Sequence, residues 1–162
     1  MIKKLTCTVL LLCLISPPLG AKALNFSELP TKQSSKEWSV QVSEATDDKG
    51  LAKPEKGKFH TYSLKIKKVG DDDLTSAEIR MFRNEPNSST KFSLFGCANG
   101  LECSKNHFEE TMTLARSLND GTPFEFHNFT LADKSTELEV EIAWTKKGSE
   151  GRLLKETFTF NE

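Results

Sequence analysis

The segment that most constrains the fold is ELEVEIAW at 137–144, because acidic and apolar side chains alternate in it from Glu137 to Ile142 and Trp144 continues the apolar face. Strict alternation places successive side chains on opposite faces of a strand, so one face is apolar and the other charged. The same period occurs in EWSVQVSE, YSLKIKKV, AEIRMF and LLKETFTF, which begin at 37, 62, 77 and 153. Gly-, Pro-, Asn- and Asp-rich turns separate these segments. Eleven phenylalanines and two tryptophans suit a core between packed sheets. The sequence therefore predicts an all-β, two-sheet antiparallel β-sandwich of about 7–8 strands.

Residues 107–118, HFEETMTLARSL, fit two periods. Phe108, Met112 and Ala115 have helical spacing, whereas Met112 and Leu114 alternate as in a strand. We expect a strand here, followed by a turn at NDGTP.

The N-terminus has the features of a cleaved export signal. Lys3 and Lys4 precede an apolar run from Leu5 to Ile15, and Ala21-Lys22-Ala23 forms a small-x-small site. We expect residues 1–23 to be a signal peptide of bacterial type, 24–35 a flexible leader, and 36–162 a single domain. The apolar run is too short to span a bilayer. The mature protein is therefore expected to be secreted, with no membrane span after cleavage.

The charge of the mature chain argues against nucleic acid as a partner. Removal of residues 1–23 takes away three of the 22 basic residues and none of the 23 acidic residues, which leaves a net charge of −4. Acidic and basic side chains are mixed along the chain, without the basic cluster that nucleic-acid binding requires.

Only Cys97 and Cys103 remain after cleavage, and we expect them to form one local disulfide in an oxidising compartment. A metal site that includes His107 would have only three ligands at an unusual spacing. A redox pair would need the shorter Cys-x-x-Cys spacing.

Two longer runs carry a family resemblance: TLARSLNDGTPFEFHNFTL at 113–131 and ELEVEIAWTKKGSEGRLLKETFTF at 137–160. Together they resemble the second half of secreted bacterial immunoglobulin-like domains, in which a leucine and a glycine turn precede an aromatic strand and a terminal hairpin closes the sheet. Leu118, Gly121, Phe124, Phe126 and Phe129 occupy those places. The resemblance implies an immunoglobulin-like sandwich and implies nothing about a ligand.

No catalytic or metal-binding constellation is evident in the sequence. His60, His107 and His127 lie outside the common nucleophile and zinc motifs. Adjacent Glu109 and Glu110 would point to opposite faces of a strand, and Asp71–Asp73 lack the alternating spacing of a calcium loop. We therefore expect no enzyme activity, no metal and no cofactor.

The function expected from the sequence is that of a secreted binding module. Its partner would be an extracellular protein or a cell-envelope component, contacted through loops on a rigid scaffold. The predicted contact residues are Asn99, Gly100, Leu101 and Glu102, in the loop that the two cysteines enclose. A secreted protease inhibitor and a small extracellular hydrolase built on a sandwich are the alternatives.

Overall fold

Eight β-strands and one α-helix make up the part of the chain that the computed structural model describes, residues 23–94 and 107–161. The elements are β1 (Thr31–Ser34), β2 (Trp38–Glu44), β3 (Phe59–Lys68), β4 (Leu74–Asn84), β5 (Phe92–Ser93), α1 (His107–Asn119), β6 (Phe124–Ala132), β7 (Glu137–Lys146) and β8 (Leu154–Phe160). The strands form two four-stranded sheets with the orders β1-β2-β3-β6 and β5-β4-β7-β8. Every strand pairing within these sheets is antiparallel.

The alternating segments form strands whose apolar faces meet between the sheets. Trp38 of β2 and Trp144 of β7 belong to different sheets, and their rings pack edge to face with centroids 5.3 Å apart. The core continues through the inward residues of the alternating strands, among them Val40, Leu64, Ile66, Met81, Val140 and Ile142. The predicted two-sheet antiparallel architecture is confirmed.

The charged face of β7 lies outside the core, as the alternation predicts, yet it is not fully exposed. β7 is an inner strand of its sheet, so neighbouring side chains cover it. Glu139 is only 8% exposed, and Lys91 approaches its carboxylate to 2.6 Å. This hydrogen bond raises the pKa of the Lys91 ammonium group above its usual value.

The expectation of a strand at 107–118 is wrong, because this segment forms the α-helix α1. Its buried residues, Ala115 and Leu118, are three positions apart and face the sandwich. Gly121, with a φ of 81°, ends the helix, and the hydrogen bonds Gly121 N–Leu118 O and Thr122 N–Ser117 O complete a Schellman motif. The helical spacing of Phe108, Met112 and Ala115 therefore indicated the correct structure, and the alternation of Met112 and Leu114 did not.

Residues 24–35, expected to be a flexible leader, contribute to the sandwich instead. Thr31–Ser34 pair with β2, and Leu24 is buried in the core. Two side-chain hydrogen bonds join this segment to β8 of the other sheet: Gln33 Nε2 to the Thr159 carbonyl at 2.8 Å, and Ser35 Oγ to Glu156 Oε2 at 3.0 Å. Polar composition suggested a loose segment, but these polar groups close one flank of the sandwich.

Three predictions concern residues outside the described ranges. The signal sequence before residue 23, the Cys97–Cys103 disulfide and the loop that these cysteines enclose all stay predictions.

Candidate functional site

A cleft of about 830 Å³ lies on the flank of the sandwich between β4, α1 and β6. Its apolar wall consists of seven side chains: Ala77, Ile79, Phe82, Leu94, Leu114, Phe124 and Phe126. Ligand sites in proteins are usually concavities of this kind, mostly apolar with a few polar groups. We call this concavity the flank cleft.

The two sides of α1 explain why the cleft forms here. β5 is a two-residue strand that pairs with β4 at Phe82 and Arg83. Further along β4, α1 takes the place of a strand and packs through Ala115 and Leu118. The helix positions 107, 110, 111 and 114 share one face, which lines the cleft.

Charged side chains surround the apolar wall. Arg80 Nε donates to Glu78 Oε1 at 2.7 Å, and Arg80 Nη1 lies 3.8 Å from Glu141 Oε1. This hydrogen bond to Glu78 raises the pKa of the Arg80 guanidinium, and the cation is paired with Glu78. His107 Nε2 lies 3.7 Å from the other oxygen of Glu78.

Two further carboxylates, Glu109 and Glu110, lie in the first turn of α1. Neither forms an ion pair within 23–94 and 107–161, and Glu110 lines the cleft. The positive end of the helix dipole favours negative charge at these positions. Because Arg80 is paired with Glu78, the described residues give the mouth of the cleft an excess of negative charge.

The binding residues predicted from the sequence, Asn99, Gly100, Leu101 and Glu102, lie outside the described ranges, as do Cys97 and Cys103. The described residues that flank this stretch, Leu94 and His107, both line the cleft. The site described here is therefore adjacent in sequence to the predicted one.

Each of the three histidines lies beside a different carboxylate, and each side chain is about half exposed. His60 Nε2 lies 3.4 Å from Asp133, and His127 Nε2 lies 3.5 Å from Glu125. His107 alone among the three lines the flank cleft. In the described part of the chain, no group of three or more His, Cys, Asp or Glu side chains could hold a metal ion.

Sequence reasoning missed the residues that line the cleft. The strand expected at 107–118 would have put Glu110 and Leu114 on one face, with Thr111 on the other. The available signal was the i, i+3, i+4, i+7 spacing of His107, Glu110, Thr111 and Leu114. Phe124 and Phe126 were identified as aromatic strand residues, without a role in a site.

The fold and the cleft together define a two-sheet β-sandwich with a concave flank, and comparison with known proteins gives its family. The model of the YozF-like secreted protein family matches residues 22–162, and the chain belongs to this family. It is 50% identical over 142 residues to "Uncharacterized protein YozF" of Bacillus subtilis (strain 168), an alignment that covers 88% of this chain and 84% of that protein. No solved structure matches the chain.

The family description confirms the predicted location: this is a secreted protein. Among the described residues, no helix is both long enough and apolar enough to cross a membrane.

Proposed function

We propose that this protein is a non-enzymatic binding module outside the cytoplasm, and that the flank cleft takes a segment of an extracellular or cell-envelope protein. The observation that carries the proposal is the combination of an apolar wall with an acidic mouth. It favours a segment in which an apolar side chain lies next to a lysine or arginine.

The size and lining of the cleft support an apolar anchor. A volume of about 830 Å³ is within the range of roughly 300–1,000 Å³ that is common for ligand pockets. Ile79 and Leu114 approach it from β4 and α1, so a bound side chain would be enclosed by two elements. Burial of apolar area contributes about 25 cal/mol per Å².

The negative charge at the mouth of the cleft favours a lysine or arginine next to the apolar side chain of the bound segment. Glu110 has no cationic partner in the described part of the chain, and Glu109 beside it has none either. Complementary charge increases the rate of encounter and discriminates against acidic segments.

We also infer that the sandwich is immunoglobulin-like. Strands β2, β3 and β6 correspond in order to strands A, B and E of that fold, and β4, β7 and β8 to strands C, F and G. In this correspondence α1 takes the place of strand D in the chain order, between β5 and β6, but it packs mainly on β4. The edge of the first sheet at β6 is then without a strand D, and the flank cleft lies beside it.

Random peptides displayed on phage, panned against the biotinylated chain from Leu24, test the binding proposal. We expect the enriched peptides to share an apolar residue beside Lys or Arg. Fluorescence anisotropy should show binding at least about tenfold weaker for Glu110→Lys and for Leu114→Asp, since a tenfold change corresponds to about 1.4 kcal/mol.

Glu28→Lys is the matched control, because Glu28 is exposed and does not line the cleft. Its peptide affinity should equal that of the unmodified chain. Thermal unfolding of each variant shows whether it is folded. If Leu114→Asp does not fold, the affinity of Glu110→Lys alone tests the proposal. Equal affinities in all four proteins, or no enriched peptide, would contradict the proposal.

A small hydrolase is a second candidate, favoured by the position of His107 beside Glu78 in a cleft that Ser93 and Thr111 also line. Chromogenic ester, glycoside and peptide substrates test this candidate. Turnover that is lost in His107→Ala and retained in His127→Ala would favour the hydrolase over the binding module. His127 is the control because it is equally exposed and also lies beside a glutamate.

A further inference from the structure

The residues directly after the predicted cleavage site enter the core. Ala23 is exposed, whereas the next residue, Leu24, is only 3% exposed. Two positions later, the ring of Phe26 packs edge to face against Tyr62, with centroids 4.9 Å apart, and also approaches Phe160 at 6.2 Å. The mature N-terminus would therefore begin inside the sandwich and not in solvent.

A polar socket receives the nitrogen of Leu24. This nitrogen donates a hydrogen bond to the Ser135 carbonyl at 2.6 Å. Ser135 is fully buried, and its hydroxyl has no hydrogen-bond partner among the described residues. Buried hydroxyls almost always have a partner, and a further N–H donor on the Leu24 nitrogen would provide one.

The charged and titratable groups around the socket come from β3, from the β6–β7 connection and from Glu85, which follows β4. His60 and Tyr62 are on β3, and Asp133 and Lys134 precede Ser135 in the connection. Lys134 is held by Glu85 at 2.6 Å. Asp133 Oδ1 is 3.4 Å from His60 Nε2 and accepts no hydrogen bond of good geometry. Burial raises the pKa of the Tyr62 hydroxyl, and the charge of Asp133 adds to this increase.

We propose that cleavage after Ala23 completes this socket, with the new ammonium group of Leu24 bound by Ser135 and facing the carboxylate of Asp133. The inference depends on the predicted cleavage site and is independent of the flank cleft.

The chemistry of cleavage supplies this further donor. A signal peptidase adds one water across the Ala23–Leu24 amide: the water oxygen bonds to the Ala23 carbonyl carbon, the C–N bond breaks, and both protons of the water end on the leaving nitrogen. The products are the Ala23 carboxylate and the Leu24 ammonium. The amide has one N–H, whereas the ammonium has three. One N–H can maintain the hydrogen bond to the Ser135 carbonyl, and another can donate to the Ser135 hydroxyl. Hydrogen bonds from a charged donor are roughly twice as strong as neutral ones.

The pH dependence of such a group has a definite sign. A neighbouring carboxylate raises the pKa of an amine, whose usual value is about 7.7–8.0 at a chain terminus. The stability that it contributes is therefore complete below about pH 8 and is lost as the pH rises through the higher folded-state pKa.

Three forms of the protein test the proposal: the chain that begins at Leu24, the same chain after Nα-acetylation, and a chain that begins at Ala21. At pH 7 we expect the free Leu24 form to unfold about 3 °C or more above the other two. This difference should disappear near pH 10. Equal melting temperatures at pH 7, or a difference that does not change with pH, would overturn the proposal.

Two variants identify the socket. Ser135→Ala should reduce the difference between the free and acetylated forms, and Asp133→Asn should reduce its pH dependence. Ser149→Ala, at an exposed hairpin position, should leave both unchanged. Mass spectrometry of the secreted chain must also give Leu24 as the first residue, and a different N-terminus would overturn the proposal independently of stability.

Discussion

At the scale of single residues, the buried amide of Asn128 fixes the connection between β2 and β3. Its Oδ1 accepts from the Thr46 backbone N–H at 2.8 Å, and its Nδ2 donates to the carbonyls of Thr46 at 2.8 Å and Ala52 at 2.9 Å. Asn128 lies at a β-bulge in β6 and has a φ of 51°, a conformation that asparagine tolerates better than most residues. One side chain thus satisfies three backbone groups of a distant loop.

Asn128→Ala should therefore lower the free energy of unfolding by about 2–4 kcal/mol, because it leaves buried backbone groups unpaired and puts alanine in the left-handed region. Asn128→Gly should lower it by about 1 kcal/mol less, since glycine accepts this φ. Urea denaturation measures both values. The matched control is Asn87→Ala: Asn87 has a φ of 58° but is exposed, so only the backbone cost of about 1 kcal/mol applies. Equal losses for Asn128→Ala and Asn87→Ala would show that the hydrogen bonds of the Asn128 side chain contribute nothing to stability.

At the scale of elements, α1 is attached to β4 at its C-terminal end. The Asn119 amide donates to the Leu74 carbonyl and accepts from the Leu74 N–H, both at 2.9 Å. The apolar residues at helical spacing divide into two halves: Ala115 and Leu118 are buried, whereas Phe108 is 76% exposed. Only the C-terminal half of the apolar set is buried. This half holds the helix on the sandwich, because the Schellman motif and Asn119 fix the same end.

Leu118→Ala should destabilise the protein by about 2–4 kcal/mol, since it leaves a cavity where α1 packs on the sandwich. Phe108→Ala, on the same helix, should change stability by less than about 0.5 kcal/mol. Guanidinium denaturation of both variants provides the comparison. If both changes were equally small, the contact between α1 and the sandwich would not stabilise the fold.

At the scale of the whole molecule, the sequence predicts the strands far better than it predicts what lies on the two flanks. Period-two alternation identifies β2, β3, β4, β7 and β8 because each has one face in the core. The contacts that close the flanks join residues distant in sequence, such as Gln33 and Thr159. Local periodicity has no information on such pairs, so the polar composition of residues 24–35 predicts a leader where β1 forms. The flank cleft was missed for the same reason, since its walls come from β4, α1 and β6.

The distribution of charge over the whole molecule predicts how stability changes in acid. Hydrogen bonds lower the pKa values of three carboxylates in separate regions: Lys146 acts on Asp72, Lys65 on Glu125, and the Gly148 N–H on Glu150. Because the folded-state pKa values lie below the unfolded ones, these groups contribute stability above the unfolded values, about 3.9–4.3, and the contribution is lost as the pH falls through the folded values. The urea midpoint should therefore fall between about pH 5 and pH 2.

The combined variant Asp72→Asn, Glu125→Gln, Glu150→Gln removes the three titrating groups. Its urea midpoint should be lower than that of the unmodified chain at pH 6 and should fall less between pH 6 and pH 3, because these positions no longer take up protons on unfolding. The Lys146–Asp72 and Lys65–Glu125 pairs are exposed, so about 1 M salt should also reduce part of the difference at pH 6. The Glu150 contribution should resist salt better, since its partner is a backbone N–H at 2.8 Å. An identical fall in the midpoint for both proteins would place the acid sensitivity in other carboxylates.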